Sequence, residues 1–316
     1  MDYRKQTDKG ERFMSYSNFK KALEEAKSLR AYEHGKGMSR EIIEKAEQVL
    51  GVKFSKQIYE YLHEYGYIQF YRFELQGIFD ENFTERGIVR DTLERRSNKY
   101  LPPLPPKWVQ ILDTCSDGGC VYLDFEHINN EGEPRVILGG HEGANEYYII
   151  KEEGEDFGNF LLKAVRLEHE FNIYDLLNEE MSSQCINKAE MLLWEKAEFN
   201  PFIMWKLKNG ENIILECCNK KIDEINPMLL EINKNERDKF QMVAITQKGV
   251  YKDGRKTIHI HAEHEEGLAI DVIVPYIAKN IFGIKYVEMQ KIGERLIDQA
   301  KCLFWKNKPV KFTRKK

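Results

Sequence analysis

The residues best placed to do chemistry lie late in the chain, in His259-Ile260-His261-Ala262-Glu263-His264, with Asp271 soon after. On a β-strand alternate side chains share a face, so His259 and His261 project together, a spacing that two metal ligands can use. A third ligand could come from Glu263, His264 or Asp271. The same alternation is what any half-exposed sheet rim shows, and the HExxH and CxxC patterns that make zinc sites recognisable are absent. A metal-dependent enzyme built around His259, His261 and Asp271 is therefore the alternative reading, and the expectation is no metal and no other cofactor. Glu216-Cys217-Cys218 closes a strand, but no carboxylate and lysine follow at nuclease spacing, and a nucleophilic thiol would need a lowered pKa. Neither a nucleophile elbow (GxSxG) nor a phosphate loop (GxxxxGK or GxGxxG) occurs. The expectation is a protein that is not an enzyme.

The elements that would position these groups form a mixed α+β half. Residues 202–207 and 211–217 flank Asn209-Gly210, the strongest short hairpin signal in the chain. Residues 241–246 and 257–264 form a further strand pair, and 268–274 another strand stopped by Pro275. A helix over 182–199 precedes them. A last helix is expected over about 286–305, with Ile292, Leu296, Ala300 and Leu303 on one face. The basic end, KNKPVKFTRKK, reads as a loose tail.

The first half has the same mixed character. After a frayed start, 17–32 is helical, with Phe19, Leu23, Ala26 and Leu29 inward. Ser39 to Gly66 reads as two helices joined by a tight elbow. Ile42, Ile43, Ala46, Val49 and Leu50 make the first stripe, and Ser39 and Gly51 are its cap and stop. Ser55 caps the second helix between Phe54 and Tyr59, a staple pair, and Ile58, Leu62 and Tyr65 continue the buried face. Strands follow at 67–75, 108–112, 120–125 and 135–138, with short helix 88–96 and helix 156–177 around them. The run Leu101-Pro102-Pro103-Leu104-Pro105-Pro106 cannot be helical and reads as a rigid lead-in to a strand. The expected organisation is a flexible 1–16, a first domain 17–178, a second α+β domain 179–305 and a tail 306–316.

With 42% hydrophobic residues and 12% aromatics, the chain has ample material for folded cores. Its net charge of -4 suggests no general nucleic-acid binding. The charge is uneven: residues 31–170 carry 26 Asp and Glu against 16 Lys and Arg, while both flanking segments are mildly basic. An acidic body favours encounter with a basic partner. No apolar run is long enough to span a bilayer, the first residues hold no signal core, and the six cysteines form no framework. Reduced thiols in a cytoplasmic protein are expected.

The order of residues from Ser39 to about Val165 resembles the SUKH superfamily, the SMI/KNR-like domain. Glu47-Gln48-Val49-Leu50 is similar to its "E..L" helix, and Tyr59 to Gly66 to its "Y..FL..YG" ending. Phe73-Glu74-Leu75-Gln76-Gly77, Pro106 to Leu112, Leu123-Asp124, Glu133-Pro134-Arg135-Val136 and Asp156 to Leu161 are similar to the strands and closing helix that follow. Where the family enters its second helix through "LP", this chain has Phe54-Ser55. The resemblance implies helices packed on a mostly antiparallel sheet. It also implies binding without catalysis: an immunity protein that neutralises a cognate polymorphic toxin, such as a nuclease, by covering its active or substrate-binding surface. A non-enzymatic regulatory scaffold, as in fungal relatives, is the other outcome of the resemblance. On the residues themselves, Tyr67, Tyr71, Asp113, Asp117, Asp124, Glu126, Glu131 and Glu133 are the candidate partner-binding set, acidic groups with aromatic anchors nearby. The partner expected is the toxin protein, with neither nucleic acid nor membrane bound directly.

Overall fold

A computed structural model describes residues 14–113, 119–141, 146–196, 198–217, 237–251, 253–281, 284–289, 296–300 and 303. Asp117, Cys115, Cys218, Cys302 and the basic tail lie outside these residues. The chain divides into two compact units, Met1–His169 and Glu170–Lys316. Both mix helices with antiparallel strands, so the protein is α+β.

In the first unit, α1 (Met14–Ala26) buries Phe19, Ala22, Leu23 and Ala26. The elbow follows as α2 (Arg40–Leu50) and α3 (Lys56–Glu64). Ser39 accepts the Ile42 amide at 3.5 Å, and Gly51 ends α2 at φ +70°, a left-handed position that suits glycine. Val49, expected on the inward stripe, is 42% exposed, and Glu47 is buried in its place. The reason is the elbow: Glu47 accepts the Phe54 amide at 2.8 Å and pairs with Lys53 at 2.5 Å. Ser55 takes the N-cap backbone conformation of α3, but its hydroxyl makes no capping bond. Glu133 reaches in instead and accepts the Gln57 amide at 3.2 Å.

Short strands β1 (Glu33–His34), β2 (Ile68–Phe70) and β3 (Phe73–Leu75) form one antiparallel sheet. Tyr61, buried on α3, donates to the Leu75 and Gln76 carbonyls at 2.7 and 3.1 Å, so the elbow is pinned to this sheet. After α4 (Ile88–Ser97) comes a four-stranded sheet in chain order: β4 (Trp108–Asp113), β5 (Cys120–Ile128), β6 (Pro134–His141) and β7 (Tyr147–Gly154). Its inner face supplies Val109, Ile111, Val121, Leu123 and Val136 to the main core, with Phe157, Leu161 and Val165 of α5 (Phe157–Asp175). Its outer face is also closed: Leu104 of the proline run packs with Trp108, Cys120, Tyr122 and Ile137. Trp108 and the proline run are thus structural.

In the second unit, α5 continues through a π-helical stretch, Leu176–Ser182, into α6 (Ser183–Lys196). These helices cover one face of a seven-stranded antiparallel sheet. Its strands are β8 (Phe202–Leu207), β9 (Asn212–Glu216), β10 (Phe240–Val250), β11 (Lys256–His264), β12 (Ala269–Ile281), β13 (Ile284–Met289) and β14 (Leu296–Gln299). The core between them holds Cys185, Ile186, Ala189, Leu192 and Leu193 against Met242, Ala244, Ile258, Ile260, Ala262, Ile270 and Val272.

Two expectations fail here. Of the helix expected over 286–305, the described residues 286–289 lie in β13 and 296–299 in β14, while Ile292 lies outside the described residues. Val287 and Met289 alternate inward with exposed Glu288, a period of two, and β12 offers an edge to pair with. Pro275 does not stop β12. It falls between the stretch paired with β14 (residues 270–273) and that paired with β13 (276–281), where that edge needs no backbone donor.

Candidate functional site

The acidic residues of β5 and its hairpin divide by burial. Asp124 is fully buried and accepts Arg135 Nη2 at 2.6 Å and Nε at 3.1 Å, with the His127 ring at 2.8 Å. It lies opposite Arg135 in the ladder, and Arg135 continues to Glu152 of β7 at 2.7 Å. Asp124 therefore clasps β5, β6 and β7, and burial removes it from any partner surface. Asp124, Glu126 and His127 form the one metal-compatible trio among the described residues, but the Arg135 guanidinium already holds the shared carboxylate. Glu133 is buried as well, and burial raises its carboxyl above the ordinary range. Its work is to cap α3.

Asp113, half-buried at the end of β4, lies 3.6 Å from Arg86. Tyr67 stacks on Phe79 with ring centroids 4.9 Å apart and donates to Glu33 at 3.4 Å. Tyr71 sits at the β2–β3 turn with φ +52°, its amide bonded to the Arg30 carbonyl at 2.7 Å. These two tyrosines flank β2 of the three-stranded sheet, whereas Glu126 and Glu131 are exposed around the β5–β6 hairpin. The seven described candidates thus divide between the strands and turns of two sheets, and Asp117 lies outside the described residues.

The most exposed apolar run of this unit was not among them. Tyr148, Ile149 and Ile150 on β7 are 48%, 41% and 50% exposed, although they are consecutive in a strand. Among the described residues β7 pairs only with β6, so its outer side is a free sheet edge. Exposed Glu146 precedes the run, and exposed Glu152 and Glu155 follow it. Register shifts opposite Ile150 and Glu153 put two bulges into β7, and Lys151 lies between them. Bulges and lysine are how free edges are guarded against indiscriminate pairing. What stays exposed is an apolar strip with an acidic border. A sequence signal existed in the four-residue run Tyr147 to Ile150, rich in β-formers and followed by Lys-Glu-Glu. Its exposure follows only from β7 being the last strand of its sheet.

In the second unit, the histidine strand is tied into hydrogen bonds with its neighbours. His261 lies between two carboxylates, Nδ1 2.7 Å from Asp271 and Nε2 2.8 Å from Glu263, so both ring nitrogens are occupied. Burial alone would lower its pKa, but the bonds to Asp271 and Glu263 raise it to about 9. A doubly protonated imidazole has no lone pair for a metal. His259 is pushed below its usual value by burial and bonds Thr257 at 2.9 Å. His264 is buried. Cys217 is buried too, and its thiol lies 3.8 Å from the Leu215 carbonyl.

The geometry defines the first unit as an α+β domain whose helical elbow, sheet and buried carboxylates are committed to structure, with an exposed apolar run on the β7 edge. Residues 19–164 match the SMI1-KNR4 cell-wall family model, SUKH_5, so the chain carries a SUKH-superfamily domain over those residues. No curated protein matches the chain significantly. SUKH domains are associated with immunity proteins, which are generally non-enzymatic. Among the described residues no helix is long and apolar enough to cross a membrane.

Proposed function

We propose that this protein is an immunity protein that binds a cognate polymorphic toxin in the cytoplasm and neutralises it stoichiometrically, without catalysis. The observation that carries this reading is the β7 edge: three consecutive exposed apolar residues bordered by Glu146, Glu152 and Glu155 on an acidic domain. Apolar anchors with a charged rim make tight interfaces, and the acidic rim selects a basic partner such as a nucleic-acid-cleaving toxin. Glu126 and Glu131 extend the rim, whereas Asp124 and Glu133 hold the sheet and elbow that present it. Co-expression with a cognate toxin domain tests the reading. Growth rescue and a stoichiometric complex support it; a toxin that still kills, with no complex, overturns it.

A further inference from the structure

The second unit holds a cavity of about 460 Å³ on the sheet face opposite its helices, and neither the immunity reading nor the SUKH match accounts for it. Ile245, Ile273 and Leu303 supply apolar walls, and Gln247, His259 and Asp271 supply polar groups. A pocket of a few hundred Å³ with apolar walls and a few convergent polar groups is the usual form of a small-molecule site.

Its charge chooses the ligand. His261 is a cation, but Glu263 and Asp271 both bond it and leave the trio negative. Asp271 gives one oxygen to His261, and its side chain remains 54% exposed. Asp298 of β14 lies directly opposite Asp271 in the ladder and is exposed. Like charges directly opposite on neighbouring strands repel, and a cation between them relieves that repulsion. Burial of His259 disfavours its protonation, so it does not oppose a cation at this wall. A metal ion bound through the His261 ring would have to displace one of its hydrogen bonds and a proton. An organic cation needs only the open carboxylate edge.

We propose that this cavity is a binding site for a small amphipathic organic cation, a primary ammonium with a short apolar tail. The ammonium sits at Asp271, with Asp298 facing it from the neighbouring strand outside the cavity lining, and the tail lies on Ile245, Ile273 and Leu303. The test is an NMR titration of the full-length protein at neutral pH, following the His259 and His261 ring protons. The probes are hexylammonium, hexanoate of equal length and opposite charge, and zinc. Hexylammonium should give saturable shifts of both rings and hexanoate none. Asp298→Asn, an exposed change that leaves the His261 bonds intact, should weaken hexylammonium at least threefold. Asp271→Asn should weaken it at least tenfold. Shifts from neither organic probe, equal shifts from both, saturation by zinc at lower concentration than hexylammonium, or an unmoved affinity in both variants would each overturn the assignment.

Discussion

The carboxylate clamp on His261 makes a pH prediction whose sign and size both follow from its geometry. The ring has a pKa of about 9 in the folded chain against an ordinary value of 6.5. Folding therefore favours the protonated ring. Its contribution is complete below pH 6.5 and is lost as pH rises through 9. The difference of two to three pKa units corresponds to about 3 kcal/mol. The substitution His261→Gln keeps a neutral donor near one carboxylate and abolishes the titration. Chemical denaturation of wild type and variant, followed from pH 6 to 10 at constant ionic strength, should show a gap that is widest at pH 6 and shrinks by about 3 kcal/mol by pH 10. An NMR titration should find the His261 ring still protonated at pH 8 and the His259 midpoint below its ordinary value. A His261 midpoint near 6.5, or a wild type and variant whose stabilities run parallel with pH, would refute the reasoning.

The first unit supplies three further stability predictions. Glu133→Ala removes the acceptor of the Gln57 amide and should cost about 1–2 kcal/mol by urea unfolding, while Glu133→Gln should cost less because an amide oxygen can still accept. Asp124→Ala leaves the Arg135 guanidinium without its main partner in a mostly buried position and should cost about 3 kcal/mol. Gly77→Ala should fail to fold in expression trials, since a Cβ at that position would lie 1.4 Å from the Gly66 carbonyl oxygen, a backbone atom that cannot move aside cheaply.

What the sequence made legible is what local physics decides. The elbow from Ser39 to Gly66 is readable because its stripe, its left-handed glycine and its serine before α2 act within a few residues. Asn209-Gly210 is readable for the same reason, with Gly210 at φ +89°. The errors are decided by distant partners. The described residues of the segment read as a C-terminal helix fall in β13 and β14 because β12 has an edge to pair with. The candidate site was least legible. Asp124 and Glu133 look like surface acids in sequence, and only the fold shows Arg135 beside one and the end of α3 beside the other. Tyr148 to Ile150 look like core, and only the strand order makes them an edge.

Ile149→Lys tests β7 as the toxin-binding edge most directly. Ile149 is 41% exposed, so the change should leave folding stability within about 0.5 kcal/mol. Calorimetric titration against the cognate toxin domain should show affinity lowered at least tenfold in the variant, together with lost protection of growing cells. Wild-type affinity and full protection by the Ile149→Lys protein would contradict the account.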